Sequence, residues 1–246
     1  MMKRLWLIVL CLASVCFCTA CQKDAAEEKP SGTADASAER EESSEPEPVR
    51  LLDESFGKLY SGTTYYLETD MTVESTSSPD TSSRYHLTIA VDKAANQAML
   101  LMNVENGSEN HIIIRDGQSY NLNDADKTYT VQSFEDSIDL FARLYTADLY
   151  LGVTEPLTLT DTGDKKITLD GKEKTVTYEE YRMAAPDTSA EATEEAYVTY
   201  CFDNGKPCQE VLETVSGKTT FVFRQVTDHL PGSVSFTMPD DYRKSG

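Results

Sequence analysis

From Tyr65 onward the chain adopts a period of two and keeps it for most of its remaining length. Tyr65, Leu67, Thr69, Met71 and Val73 fall on one face of an extended strand, and Tyr66, Glu68, Asp70, Thr72 and Glu74 fall on the other. Side chains alternate across a strand, so this pattern demands a sheet with one dry and one wet face. After a polar turn over residues 75–83, Tyr85, Leu87, Ile89 and Val91 resume the alternation, with His86, Thr88 and Asp92 opposite. Strands are expected over 97–105 and 111–116, apolar on both faces in the middle (Met99 to Met102; Ile112, Ile113, Ile114). Residues 120–122 and 128–131 form a hairpin around Asn123-Asp124-Ala125-Asp126. More strands are expected near 157–159, 167–169, 175–183, 197–202, 207–215, 219–226 and 233–238. Short strands separated by turn residues read as an antiparallel meander.

Two stretches break the period. Leu51, Leu52, Ser55, Phe56 and Leu59 sit at helical spacing and stop at Tyr60-Ser61-Gly62, which predicts a short amphipathic helix with a glycine stop. Phe134, Ile138, Phe141, Leu144 and Tyr145 share one face of a second helix over 134–151. Ser133 suits its N-cap, and Glu135-Asp136 suits its first turn. A dry sheet face needs a cover, and this second helix is the expected lid. The 196 residues of 51–246 fit one domain. Residues 184–195 form a loose acidic stretch within it.

The N-terminus is of another kind. Met1-Met2-Lys3-Arg4 is a short positive region, and Leu5 to Ala20 is an apolar run of 16 residues. A spanning helix needs about 20. A charged start, an apolar centre and a small-residue end over residues 1–20 make an export signal. The cleavage end, Thr19-Ala20-Cys21, resembles the bacterial lipobox, in which small residues precede an invariant cysteine. Cys18 stands where that family usually has leucine. Cys11, Cys16 and Cys18 follow Leu10, Val15 and Phe17, all large, so Cys21 is the expected lipidation site. The resemblance implies a thioether-linked diacylglyceryl group, usually joined by a further acyl chain such as palmitate on the new amine. Two or more chains give stable membrane attachment. Residues 25–50 are rich in Ala, Ser, Glu and Pro, with Val49 as their one large apolar residue. They cannot bury enough surface to offset the entropy of ordering, so 21–50 reads as a lipidated cysteine followed by a disordered acidic tether.

Removing the signal takes Lys3 and Arg4 and no acid, leaving 20 basic against 42 acidic residues. A surface this acidic argues against nucleic acid and against lying on anionic phospholipid. Solubility and self-repulsion at a crowded surface are its simplest consequence. Calcium capture by Asp116, Asp124 and Asp126 is the runner-up, although no full calcium-loop spacing exists. Of six cysteines, three lie in the signal and one is Cys21, which leaves Cys201 and Cys208. Asn204-Gly205 signals a two-residue hairpin turn. With those two at the tip, Cys201 and Cys208 become direct cross-strand partners, and a disulfide is expected in an exported protein.

Nothing in the sequence assembles a catalytic or metal centre. There are three histidines, His86, His111 and His229, and no G-x-S-x-G, H-E-x-x-H or glycine-rich phosphate loop. His86 is expected beside Glu68 or Asp70 as a charge pair on the wet face. No cofactor is implied.

The order of elements resembles the LolA-like lipoprotein carrier superfamily. A strand of three isoleucines ends in Asp116-Gly117, and an aromatic strand with the turn Asn123-Asp124-Ala125-Asp126 follows. The chain closes on Phe236-Thr237-Met238-Pro239-Asp240-Asp241-Tyr242. The resemblance covers most of residues 51–246 and departs from the pattern at 184–195. It implies an α+β fold in which a single curved antiparallel sheet, an unclosed half-barrel, carries helices across its concave face. It also implies a pocket for acyl chains. The candidate lining is Leu67, Met71, Leu87, Ile89, Leu100, Met102 and Ile113 from the sheet, and Ile138, Phe141, Leu144 and Tyr145 from the lid. The resulting expectation is a lipid-anchored protein on the extracytoplasmic face of the cell membrane. It would bind or sense an apolar, lipid-like ligand without enzymatic activity. A surface module with a filled core, docking an envelope protein or the cell wall, fits the same pattern.

Overall fold

A computed structural model describes residues 49–105, 107, 109–138, 157–183 and 196–245. The chain enters through a helix, α1, over residues 51–61, whose central turn Asp53–Gly57 is π-wound. A first meander follows: β1 (Thr64–Ser75), β2 (Ser78–Asp92), β3 (Gln97–Val104), β4 (Glu109–Arg115), β5 (Gln118–Asn123) and β6 (Thr128–Ser133). A second comprises β7 (Thr158–Leu169), β8 (Lys172–Met183), β9 (Ala196–Asp203), β10 (Lys206–Thr214) and β11 (Gly217–Thr227). A two-residue strand, β12 (Arg243–Lys244), ends the described chain.

The twelve strands among the described residues form one sheet in the order β12-β6-β5-β4-β3-β2-β1-β11-β10-β9-β8-β7. The meanders join where β11 pairs antiparallel with β1, from Tyr66↔Thr227 to Ser75↔Gly217. The edge strands β12 and β7 do not pair with each other, so the sheet is an unclosed half-barrel.

Local chemistry explains the tight hairpins. Asp116-Gly117, Asp170-Gly171 and Asn204-Gly205 each place two successive residues at positive φ, between 52° and 76°. That backbone matches the right-handed twist of the flanking strands, and Asn, Asp and Gly tolerate it best.

Three expectations about strands need correction. The sheet is mixed, because β12 runs parallel to β6 through Arg243↔Thr128 and Lys244↔Tyr129. No strand forms over 233–238. Pro231 and Pro239 instead accept turn hydrogen bonds from the amides of Val234 and Tyr242, and proline has no amide for a ladder. The strands foreseen at 157–159 and 167–169 are one, β7. Its middle carries Asp161, Asp164, Lys165 and Lys166, which is how an exposed edge strand discourages pairing with other chains.

Register sorts the side chains. Leu67 pairs Ile89, Ile89 pairs Leu100 and Leu100 pairs Ile112, so these share the inner face. Leu67, Ile89 and Leu100 are at most 1% exposed. Burying each contributes roughly 1.5–3 kcal/mol. The same face continues into the second meander through Phe221, Tyr200 and Tyr181. Leu52, Phe56, Leu59 and Tyr60 of α1 pack onto it, with Ile138 and Leu157 in the same core.

Ile113 does not belong to that face. It pairs Met99 and Tyr120, while its neighbours Ile112 and Ile114 point inward. Three consecutive isoleucines carry no two-residue period, so only the pairing register could place them. The inclusion of Ile113 in an inner pocket is therefore corrected.

The cysteine expectation is also corrected. Cys201 and Cys208 are buried free thiols. Pro207 pairs Phe202 and Gln209 pairs Cys201, which leaves Cys208 as the extra residue of a bulge. The Cys208 thiol donates a hydrogen bond to the Cys201 carbonyl at 3.2 Å. Burial, reinforced by Cys201 and Asp203, pushes the Cys208 thiol up to about 11. Burial raises Cys201 as well. Both thiols are therefore protonated and unreactive at neutral pH.

Candidate functional site

The inner face has a seam. β10 and β11 pair from Thr214↔Gly217 only as far as Gln209↔Val222. Beyond that point β10 continues to Lys206 against β9, and β11 continues to Thr227 against β1. Two bulges flank the parting: Cys208 in β10 and, where Glu68 pairs Gln225 and Thr69 pairs Phe223, Arg224 in β11. Bulges bend strands and re-aim side chains, and Pro207 offers no amide to a ladder here.

Helix α1 lies across this seam. The Phe56 ring sits 6.0 Å from Tyr200 on β9 and 5.3 Å from Phe223 on β11. Tyr60 stacks on Phe56 and meets Tyr65 of β1 edge-on at 5.2 Å. Aromatic pairs in these geometries add about 0.5–1.5 kcal/mol each beyond their burial. The helix thus brackets the two meanders.

Its N-terminus is pinned by a buried carboxylate. Glu179 on β8, 5% exposed, accepts hydrogen bonds from the Leu51 amide at 2.7 Å and the Leu52 amide at 3.0 Å. Tyr181 donates its hydroxyl to the same carboxylate at 2.8 Å. Those amides are among the donors a helix leaves without intrahelical partners, and a negative charge there complements the helix dipole. Burial first, and this hydrogen bond second, raise the Tyr181 hydroxyl's pKa. Arg50 lies over the Tyr181 ring at 5.9 Å.

A second carboxyl, Glu210 on β10, is fully buried on the same face, between Tyr200 and Phe221 in register. Sequence reasoning passed over both acids. The signal was present: the period of two that sets Leu212 on the dry face sets Glu210 there, and Tyr181 likewise carries Glu179.

Of the anticipated pocket residues, Leu67, Leu87, Ile89 and Leu100 are buried on the inner face. Met71 and Met102 share it by register and are half-buried. Ile138 joins the core. Phe141, Leu144 and Tyr145 lie outside the described residues, as do the signal, Cys21, the tether up to residue 48 and residues 184–195. The cover seen among the described residues is α1, one of the helices expected across the concave face.

The outer face holds a charge network. His86 faces Asp70 across β1 and β2, with Nδ1 2.7 Å from Asp70 Oδ1 and Nε2 3.5 Å from Glu68 Oε1. Arg224 donates through Nε to Asp70 at 2.6 Å and through a terminal nitrogen to Asp170 in the β7–β8 turn. Burial alone would raise the Asp70 carboxyl, but His86 and Arg224 outweigh it and hold it below its usual range. Arg224 thus ties β1 to the second meander across the seam from outside. The calcium alternative loses its geometry. Asp116 lies in the turn before β5 and Asp124 and Asp126 in the turn after it, about 20 Å apart along a six-residue strand.

No family model matches the chain, and no curated protein does. Solved structures are similar in chain path. LprF from Mycobacterium bovis is 11% identical with a TM-score of 0.43, over 78% of this chain and 95% of that one. The lipoprotein LppX from Mycobacterium tuberculosis is 14% identical with a TM-score of 0.39, over 74% and 95%. A LolA superfamily protein from Nitrosomonas europaea is 8% identical with a TM-score of 0.33, over 74% and 93%.

Proposed function

We propose that this chain is a lipid-anchored protein of the extracytoplasmic membrane surface whose half-barrel binds or senses an apolar, lipid-like ligand without catalysing a reaction. The observation that carries the reading is the inner face. It is a continuous apolar surface on an open sheet, split along a seam and bridged there by one short helix. A sheet that does not close can widen where two strands have already parted, and apolar pockets with a few polar groups are the usual form of such sites. Native mass spectrometry after mild purification tests it: the folded part is expected to carry a co-purifying apolar molecule that organic extraction removes. Protein that never carries one, from any preparation, overturns the reading.

The anchor has its own test. Cys21→Ser is expected to move the protein from the membrane fraction to the soluble fraction, because all of its acyl chains are lost together. Continued membrane retention of that variant would falsify lipidation at this cysteine.

One observation favours a second reading, a surface module with a filled core. Leu67, Ile89 and Leu100 are as dry as an ordinary domain interior, with the Tyr181 and Tyr200 rings in the same cluster. The same measurement separates the two, since a filled core carries no guest.

A further inference from the structure

Where β10 and β11 part, the described residues line a cavity of about 230 Å³. Half of its lining is apolar: Leu169, Pro207, Cys208, Val222 and Phe223. The other half is charged: Lys174, Lys206 and Arg224 against Asp170 and Asp203. Three cations around one cavity are notable in a chain of net charge −20. Two of them are engaged, Lys174 with Asp203 at 2.7 Å and Arg224 with Asp70 and Asp170. Lys206 makes no ion pair among the described residues and is exposed in the hairpin that Asn204-Gly205 turns.

Phe223 belongs to two surroundings. It lines this cavity, and its ring also packs on Phe56 in the main core. The other lining residues stand on the outer face, where Val222 pairs Asp70 and where Leu169 and Cys208 pack with Val176 and Cys201 in a cluster of their own, so the cavity meets the inner face only at Phe223, through the gap where β10 and β11 have parted. The cavity is smaller than the roughly 300–1,000 Å³ that a whole drug-sized ligand occupies. It suits one polar group, with the rest of the molecule elsewhere.

We propose that this cavity receives the acidic head group, carboxylate or phosphate, of an amphiphile whose alkyl chain passes Phe223 onto the inner face. The proposal rests on the apolar-ligand reading above and supplies the head group that reading leaves open. Lys206 provides the attraction. Lys174 and Arg224 can each share a proton donor with the incoming oxygens, because Lys carries three donors and Arg five. The acidic surface elsewhere repels such a head group, so an anion gains from this cavity what it would find at few other places on the chain.

The test uses three probes with one tail: oleate, oleyl phosphate and oleyl alcohol. Each is titrated into the full-length chain carrying Cys21→Ser, with and without Lys206→Glu. Both anions are expected to bind about tenfold more tightly than the alcohol. Lys206→Glu is expected to weaken the anions by about tenfold, since it changes the charge near the head group by two units, and to leave the alcohol unchanged. Lys206→Gln should give a smaller loss in the same direction. The tighter of the two anions identifies the head group. Equal binding of alcohol and anions, or equal effects of Lys206→Glu on all three, overturns the head-group site and leaves the apolar-ligand reading standing. Failure of every oleyl probe to bind overturns both.

Discussion

Phe56→Ala is expected to destabilise the folded domain by about 3–5 kcal/mol, the range for removing a buried phenylalanine from a packed core. Phe56 is 3% exposed and lies between Tyr200 on one side of the seam and Phe223 on the other. Its loss removes contacts on both sides of the seam at once, where no strand pairing between β10 and β11 can compensate. The denaturant midpoint at neutral pH should fall with little change in the slope of the transition. Binding of an apolar fluorescent dye to the folded variant should rise, because α1 loses its hold on the inner face. A loss under about 1 kcal/mol would mean that α1 is a passenger on the sheet and not the bracket across its parting.

The second large effect falls on the other end of the same helix. Glu179→Gln keeps the shape of the side chain and removes its charge. Glu179 receives three donors, the amides of Leu51 and Leu52 and the Tyr181 hydroxyl. A carboxamide has one oxygen and one donor group, so at least one helix amide must face an NH₂. Leaving a buried donor without an acceptor costs about 1–3 kcal/mol, and loss of the charge at the helix N-terminus adds up to about 1 kcal/mol. The total expected is roughly 1–4 kcal/mol, read in the same denaturation experiment. Hydrogen exchange should localise it, with protection lost at the first amides of α1 and retained in β2 to β4. Tyr181→Phe removes one donor and leaves the carboxylate's bonds to the helix, so about 1 kcal/mol is expected there. Uniform loss of protection across the sheet would show that Glu179 supports the sheet as a whole and does not specifically hold the helix.

These two residues differ in how far the sequence announced them. Phe56 was legible as a core residue, because Leu52, Phe56 and Leu59 repeat at helical spacing. Its position over the seam was not, because the seam exists only once β11 has paired with β1, more than 140 residues away in the chain. Glu179 was legible as a dry-face position by alternation with Tyr181. An acid at a dry position has meaning only when its donors are known, and those donors sit on a helix 127 residues earlier.

The sequence by itself determined the strand-rich architecture, the turns at Asp116-Gly117 and Asn204-Gly205, the helix at 51–61 and the face to which Leu67, Ile89 and Leu100 belong. Each follows from a period of two, a period near 3.6 or a local backbone preference, all of which act over a few residues. Tertiary structure alone decided that Cys208 would slip into a bulge and remain a thiol, that Ile113 would face outward, that β7 would run unbroken and that β12 would add in parallel. It also decided that the two meanders would meet along β1 and β11 and that the second would part between β10 and β11. Those outcomes depend on pairing register and on contacts between distant segments. A one-residue shift in register changes partners and faces without altering the local pattern that produces the strands.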